Sequence, residues 1–426
     1  MRKSIFLFYF FLFLLGCSPP ARAQTNRYLF KHITIDNGII NNNVLALCQD
    51  SKGFMWIGTQ TGLQRYDGKR FITYQADVHN PYALHTDWIT AIFEDTKKRL
   101  WIGTEQGAPY LLNRSNGKFY NFSLSDSAGQ ENANGIWQFL EDNDGRIWVA
   151  AHNGFYKLDD ASNQFESMSK LLQMENHVSS SSIAKNKNGD LWFATGTGLK
   201  KISFRQHILT DKNHNPDHLS LFDNNKPTSF ITFDDANNIW ASSGYDGDLY
   251  RYNFVTKQLK NYFFDKKFPV SQKANNYTAI GKAFFTEARE LLVPVLSKGI
   301  AVYNYEADTF SIIAVDNTNP NGLHLNPSTS GQVHILQDQE NNTWLGTDAG
   351  INIIDLSKPS FDFYTLPSDA KNLLSTGEVS DILQDKSGDI YASYYLENGG
   401  VVRFDKNFNF KKHYLVKENG NRTANQ

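Results

Sequence analysis

Asp50-Ser51-Lys52-Gly53-Phe54-Met55-Trp56-Ile57-Gly58-Thr59, followed by Gln60-Thr61-Gly62-Leu63-Gln64-Arg65-Tyr66-Asp67, is the stretch whose reading decides the fold, because it returns. Close copies run from Asp95 through Trp101-Ile102-Gly103-Thr104 and from Asp338 through Trp344-Leu345-Gly346-Thr347. Weaker ones place Trp148, Trp192, Trp240, Leu292 and Tyr391 at the same anchor, eight in all at a mean spacing of about 48 residues. A fixed period of that size marks stacked or radial supersecondary units, each unable to bury its apolar face alone.

Each unit has room for four short strands and no helix. In the first, Val44 to Gln49 and Phe54 to Thr59 flank an Asp-Ser-Lys-Gly turn, and Leu63 to Tyr66 and Arg70 to Tyr74 follow further turns. Strands of this length, rich in aromatic and β-branched residues and separated by Gly, Asn and Asp, read as a meander. Four-stranded meanders repeated radially make an all-β propeller with no long bare edge. The WD-repeat and kelch types have similar periods, but their Trp-Asp dipeptide and recurring Gly-Gly pair are missing.

Asp stands six residues before the anchor in most copies (Asp50, Asp95, Asp142, Asp234, Asp338, Asp385), where its carboxylate can accept turn N–H groups, and Asn186 does the same job less strongly. Gly stands six after the anchor at positions 62, 107, 154, 198 and 350, as expected of turns that need positive φ. The Trp rings are expected to fill wedges between blades. Asp142-Asn143-Asp144-Gly145 also looks like the start of a calcium loop, but it lacks the later bidentate Glu and occupies a plain turn position.

These residues resemble the two-component regulator propeller repeat, Asp-x-x-Gly-x-Leu/Ile-Trp-Ile-Gly-Thr with Gly-Leu and an aromatic-Asp pair after a short gap. The likeness covers about residues 28 to 405; the units around Leu292, where Pro294 replaces the Gly, and around Tyr391 depart from it. The resemblance implies the sensor half of a hybrid two-component regulator of the kind common in gut Bacteroidetes. Such a module would bind an oligosaccharide outside the cytoplasm and control glycan-utilisation genes. It also implies two successive seven-bladed rings, which divides the chain into a signal peptide (1–23), a seven-repeat propeller (28–358) and the first blade of a second, truncated propeller (359–426). One eight-bladed ring ending near residue 405 is the alternative. An extra strand-like segment, Tyr28 to Ile35, resembles fourth strands such as Phe361 to Leu366 and can complete a later blade, clasping the ring.

Arg2 and Lys3 precede an apolar stretch from Ile5 to Leu15 and an Ala-x-Ala end at Ala23, a secretory pattern leading to the periplasm. Leu14-Leu15-Gly16-Cys17 offers the alternative of a lipoprotein anchored at Cys17. Cys48 is then alone in an apolar strand and reads as a buried thiol.

With 40% hydrophobic residues a large core is available, and 42 basic against 44 acidic residues without a basic patch argue against nucleic acid. There is no phosphate loop, no Gly-x-Ser-x-Gly elbow, no Cys-x-x-Cys and no His-Glu-x-x-His, nor the phospho-acceptor and ATP boxes of a kinase. No catalytic residue, metal site or cofactor is therefore expected. His32, His152 and His334 read as surface or satisfied strand residues. Membrane contact would come through a C-terminal part or a lipid on Cys17, and homodimerisation stays open.

A ligand site would lie where the loops before each first strand and between second and third strands converge. His85 and Trp88 in the long loop from Asn80, Trp137 where other units put Leu45, Thr90 or Ser181, and His152 and Tyr245 in second-to-third-strand turns are the candidates. Aromatic faces beside planar polar groups suit a sugar. The plainer reading packs Trp88 and Trp137 between blades, and a secreted propeller lyase or hydrolase, or a protein-binding scaffold, are the alternative functions.

Overall fold

A computed structural model describes residues 28–354 and 378–415, apart from residues 108, 126–134, 175–179, 207, 224–226, 243–247, 265–279, 296–297, 327–332, 396–399 and 407–408. The leader, Cys17 and the segment Phe361 to Leu366 lie outside the described residues. The fold is all-β: the described residues form eight sheets, antiparallel except where Leu124–Ser125 runs parallel to Gln164–Ser167, and the contacts divide into one unit of residues 28–358 and one containing residues 359–426. In the first sheet Val44–Gln49, Met55–Thr59, Gly62–Tyr66 and Phe71–Tyr74 pair in chain order.

The recurring Asp explains both the turn and the anchor. Asp50 Oδ1 accepts the N–H groups of Lys52 (2.9 Å) and Phe54 (3.0 Å), which closes the turn, while its Oδ2 accepts the indole N–H of Trp56 at 2.9 Å. The same indole bond recurs at Trp101 to Asp95 (3.0 Å), Trp148 to Asp142 (2.8 Å), Trp240 to Asp234 (3.1 Å) and Trp344 to Asp338 (2.7 Å). A six-residue offset thus lets one buried carboxylate satisfy a turn and a core tryptophan together. Asp142 follows the rule with Asp144, Arg146 and Trp148 as its donors, so the calcium-like segment is a turn. Gly62, Gly107, Gly154, Gly198 and Gly350 all have φ between 101° and 149°, as the second-to-third-strand turns require.

Seven sheets pack as blades around a ring. Each anchor enters the face of the next blade: Trp56 lies among Leu100, Ile102 and Tyr110, Trp240 among Leu291 and Val293, and Trp344 among Val44, Leu47 and Ile57. That last cluster joins blade seven to blade one. The small residue two after the anchor is set by the neighbour as well. A Cβ on Gly58, Gly103 or Gly346 would stand 2.7 Å from a methyl of Ile89, Ile136 or Val44, the residue that opens the next blade's first strand. In blade six, where Pro294 replaces that glycine, Gly281 of the same blade lies against the proline ring, and a Cβ there would come within 2.9 Å of it.

Closure has a covalent-chain component. The strand Phe30–Ile33 pairs antiparallel with Gly350–Ile354, Phe30 opposite Ile354 and Ile33 opposite Ile351, and completes blade seven as its fourth strand. Phe30 is buried among Leu292, Ile300, Leu345 and Ile354. A further hydrogen bond crosses the seam, Gln339 N–H to Gln49 Oε1 at 2.7 Å. It belongs to a series in which the residue after the turn Asp donates to the side chain preceding the turn Asp of the next blade, as in Ser51 to Glu94 (2.7 Å) and Thr96 to Glu141 (2.8 Å).

Two histidines differ from the sequence reading. His32 on the clasp strand stacks on His324 at 3.8 Å and 3°, and its Nε2 is buried without a partner. Burial, followed by the charge of His324, pushes its pKa below 6.5, against weaker support from Pro320 and Asn352. His334 Nδ1 is also buried and unpartnered, and burial together with Lys282 brings its pKa down to about 4. Both rings fold neutral, whereas the unfolded chain takes up protons below about pH 6.5. Stability should therefore be complete above that pH and decline as pH falls toward about 4. Denaturant midpoints at a series of pH values test this, and His32→Asn should flatten the decline; parallel profiles for the two proteins would remove His32 from the account.

Cys48 is free and half-buried in the first strand of blade one, its thiol pushed up to about 12 by burial. In the second unit, Glu378–Gln384, Ile390–Tyr395, Gly400–Phe404 and Phe410–Leu415 form one further four-stranded sheet. Ile382 there is 63% exposed, whereas residues at its repeat position in the ring, Leu47, Phe139, Ile183 and Ile231, are buried.

Candidate functional site

The loop joining blades one and two is pinned from inside. Asp77 N–H bonds to Leu84 O (3.0 Å), Ala76 N–H to Asp87 Oδ1 (2.6 Å), and Leu84 is fully buried, which leaves His85 and Trp88 on the outer surface. Trp88 is 40% exposed, so it does not pack between blades. His85 donates its N–H to the Tyr110 hydroxyl (3.3 Å), and the two rings meet edge-on.

A backbone ladder carries this loop across to blade three. Glu105 N–H donates to Trp88 O (3.0 Å), Gly135 N–H to Glu105 O (2.9 Å) and His152 N–H to Gly135 O (2.9 Å). Gly135 suits the approach: a Cβ would be tight, 3.2 Å from both the carbonyl and a carboxylate oxygen of Glu105. Trp137 follows two residues later as the extra residue of a β-bulge between Ile136 and Gln138, and is half-buried. Bulges re-aim side chains. The same irregularity recurs at Leu45, Thr90 and Ser181, the positions that the sequence aligns with Trp137.

Trp88 and His152 are thus linked through the backbone of Glu105 and Gly135, with Trp137 two residues beyond Gly135 and His85 three before Trp88, while Tyr245 lies outside the described residues. Glu105 belongs to the group and was not anticipated. Its signal was available, since it follows its anchor by four residues as His152 does. Burial raises the pKa of the Glu105 carboxyl, with nearby His152 opposing. An exposed indole, a carboxyl group and an imidazole suit a hydroxyl-bearing ligand. Among the described residues no group of three or more His, Cys, Asp or Glu could hold a metal ion, and no helix is long and apolar enough to cross a membrane.

The family model for the two component regulator propeller matches residues 38–61, 83–106 and 130–153, which run from the entry of blades one to three to their second-to-third-strand turns. Histidine kinase P4 of Formosa agariphila is 35% identical over 54 residues, 13% of this chain and 4% of that protein. Among solved structures, the extracellular domain described as that of hybrid two component system BT3049 of B. thetaiotaomicron superposes over 91% of this chain with a TM-score of 0.69 and 22% identity. That of BT4673 from the same organism covers 91% at 0.57 and 22%. The chain spans about half the length of these two domains (49% and 47%). Virginiamycin B lyase of Staphylococcus aureus shares the ring at a TM-score of 0.53 and 10% identity, over 77% of this chain and 98% of the lyase, a likeness of fold alone. Three stretches of the chain thus match the two component regulator propeller, and its ring has the fold that the extracellular domains of these hybrid two component systems also adopt.

Proposed function

We propose that this chain is the extracytoplasmic, periplasmic sensing module of a two-component regulatory system, and that it binds an oligosaccharide on the loop face of blades two and three to control glycan-utilisation genes. The observation that carries the reading is the exposed Trp88, linked by a backbone ladder to Glu105, Gly135 and His152. An exposed indole on a pinned backbone offers a sugar ring an apolar face, and the neighbouring carboxyl and imidazole can take its hydroxyls. The repeat type and the similar extracellular domains support a sensing role.

Trp88→Ala should weaken binding of the tightest member of a panel of plant, algal and host oligosaccharides by about tenfold or more, as loss of an aromatic anchor does. The melting temperature should hold, because Trp88 is not core. Calorimetric affinity unchanged in Trp88→Ala would place the site elsewhere. Release of new reducing or unsaturated ends during incubation with the same panel would replace sensing by turnover.

A further inference from the structure

One position of the repeat changes character in blades six and seven. The first strands stand innermost, each beside that of the next blade from blade seven round to blade five. On them, the residue four before the turn position faces the following blade. In blades one and two it is a buried alanine, Ala46 or Ala91, and in blade five the buried Phe230. In blades three and four it is polar and satisfied: Gln138 Nε2 donates to Ile183 O (2.8 Å) and its Oε1 accepts the Ile183 N–H (3.2 Å), while Ser182 Oγ accepts the Ile231 N–H (3.4 Å). In blades six and seven it is Lys282 and His334, neighbours round the ring at one level. Among the described residues neither side chain has a hydrogen-bond or ion-pair partner.

Lys282 is exposed to water and at the same time so enclosed by the chain that desolvation brings its ammonium down to about 8. A side chain that meets water while protein surrounds it lines a narrow opening, which the innermost strands place at the axis of the ring. Among the described residues no carboxylate acts on Lys282, and the one charge that acts on His334 is that of Lys282. The first strands offer no counter-charge: from six to four residues before the turn position, the seven of them carry no Asp or Glu, and Lys282 is their one Lys or Arg. Of the His334 ring nitrogens only Nδ1 is buried without a partner, which leaves Nε2 to meet a ligand. An ammonium beside an imidazole N–H makes a pair of donors with no acceptor, and an enclosed cation without a counter-charge is costly. An oxyanion satisfies both through charge-assisted hydrogen bonds.

We infer that the opening at Lys282 and His334 is an anion site, which takes the carboxylate, sulfate or phosphate group of a small ligand between the first strands of blades six and seven. The lysine supplies the charge, and the imidazole Nε2–H a second, directional bond. Both residues stand one position past the level of the bulge that carries Trp137, near the loop end of the strands, so the ligand enters from the loop face. The inference does not rest on the site at Trp88.

The test reads the imidazole directly. The chain has 11 His residues, and His334→Asn identifies the ring resonances of interest. The full chain is titrated at pH 7 with sulfate, phosphate, acetate and glucuronate, each to about 50 mM against sodium chloride of equal ionic strength, far above a millimolar Kd. At least one should move the His334 resonances and saturate, in Trp88→Ala as in the parent chain, and glucose should not. The tightest of the four names the source: an acidic sugar for glucuronate, a free oxyanion for the others. Lys282→Met, which removes an unpaired cation, should fold with a melting temperature no lower than the parent's and weaken binding at least tenfold. The same anion should raise the melting temperature of the parent and not that of Lys282→Met. Because the anion binds the ammonium form, its affinity should fall about tenfold per pH unit above about 8. No saturable response to any of the four anions, an equal response to glucose, or binding unchanged in Lys282→Met or at high pH would each overturn the inference.

Discussion

Trp101→Ala should lower the free energy of unfolding by about 3–5 kcal/mol, the range for truncating a large buried aromatic. Trp101 is fully buried between blades two and three, edge-on to Phe122 (5.0 Å) and Phe165 (5.7 Å), with the Arg99 guanidinium 5.1 Å from its ring centroid. Blade three cannot collapse into the space, because its strands are held in register on both sides of the wedge. Asp95 keeps donors after the change, the N–H of Arg99 at 2.8 Å and its Nε at 2.6 Å, so the cost is mainly that of the cavity. Trp101→Phe should therefore cost less than Trp101→Ala. Chemical denaturation followed by circular dichroism measures both, and a midpoint unchanged in Trp101→Ala would mean that the indole is not a wedge.

Removing residues 28–33 should destabilise the ring by at least as much as losing one core aromatic, about 3–5 kcal/mol. The deletion takes away Phe30, buried at the junction of blades six and seven, together with a four-residue ladder. It also leaves Gly350–Ile354 as an open edge, so the truncated protein should self-associate more readily. Phe30→Ala separates the effects, since it keeps the ladder and loses only the burial. Sedimentation and denaturant midpoints of the two variants give the readout. A truncated chain as stable and as monomeric as the parent would show that the pairing of blades one and seven through Trp344, Val44 and Leu47 closes the ring unaided.

What the sequence determined is what lies within one repeat. The offset of six from Asp to anchor, the Gly six beyond it and the four alternating strands are local relations, and the chain answers them locally: the same carboxylate closes a turn and holds an indole wherever Asp and Trp are both present. The extra strand at Phe30 was readable for the same reason, as a fourth-strand pattern without a sheet of its own. Only the tertiary structure decided the relations between repeats. Gly58 is Gly because Ile89 of the next blade crosses it, and nothing near Gly58 in the chain says so. Glu105 joins Trp88 and His152 through carbonyls whose partners are 17 and 30 residues distant in sequence. Asn186 reads in the sequence as a weaker turn residue; that the indole N–H left without a carboxylate is also fully buried is decided by blade five packing against Trp192. Local hydrogen-bond chemistry repeats with the sequence, whereas contacts between blades join residues that are distant in the chain and are fixed only by the packing.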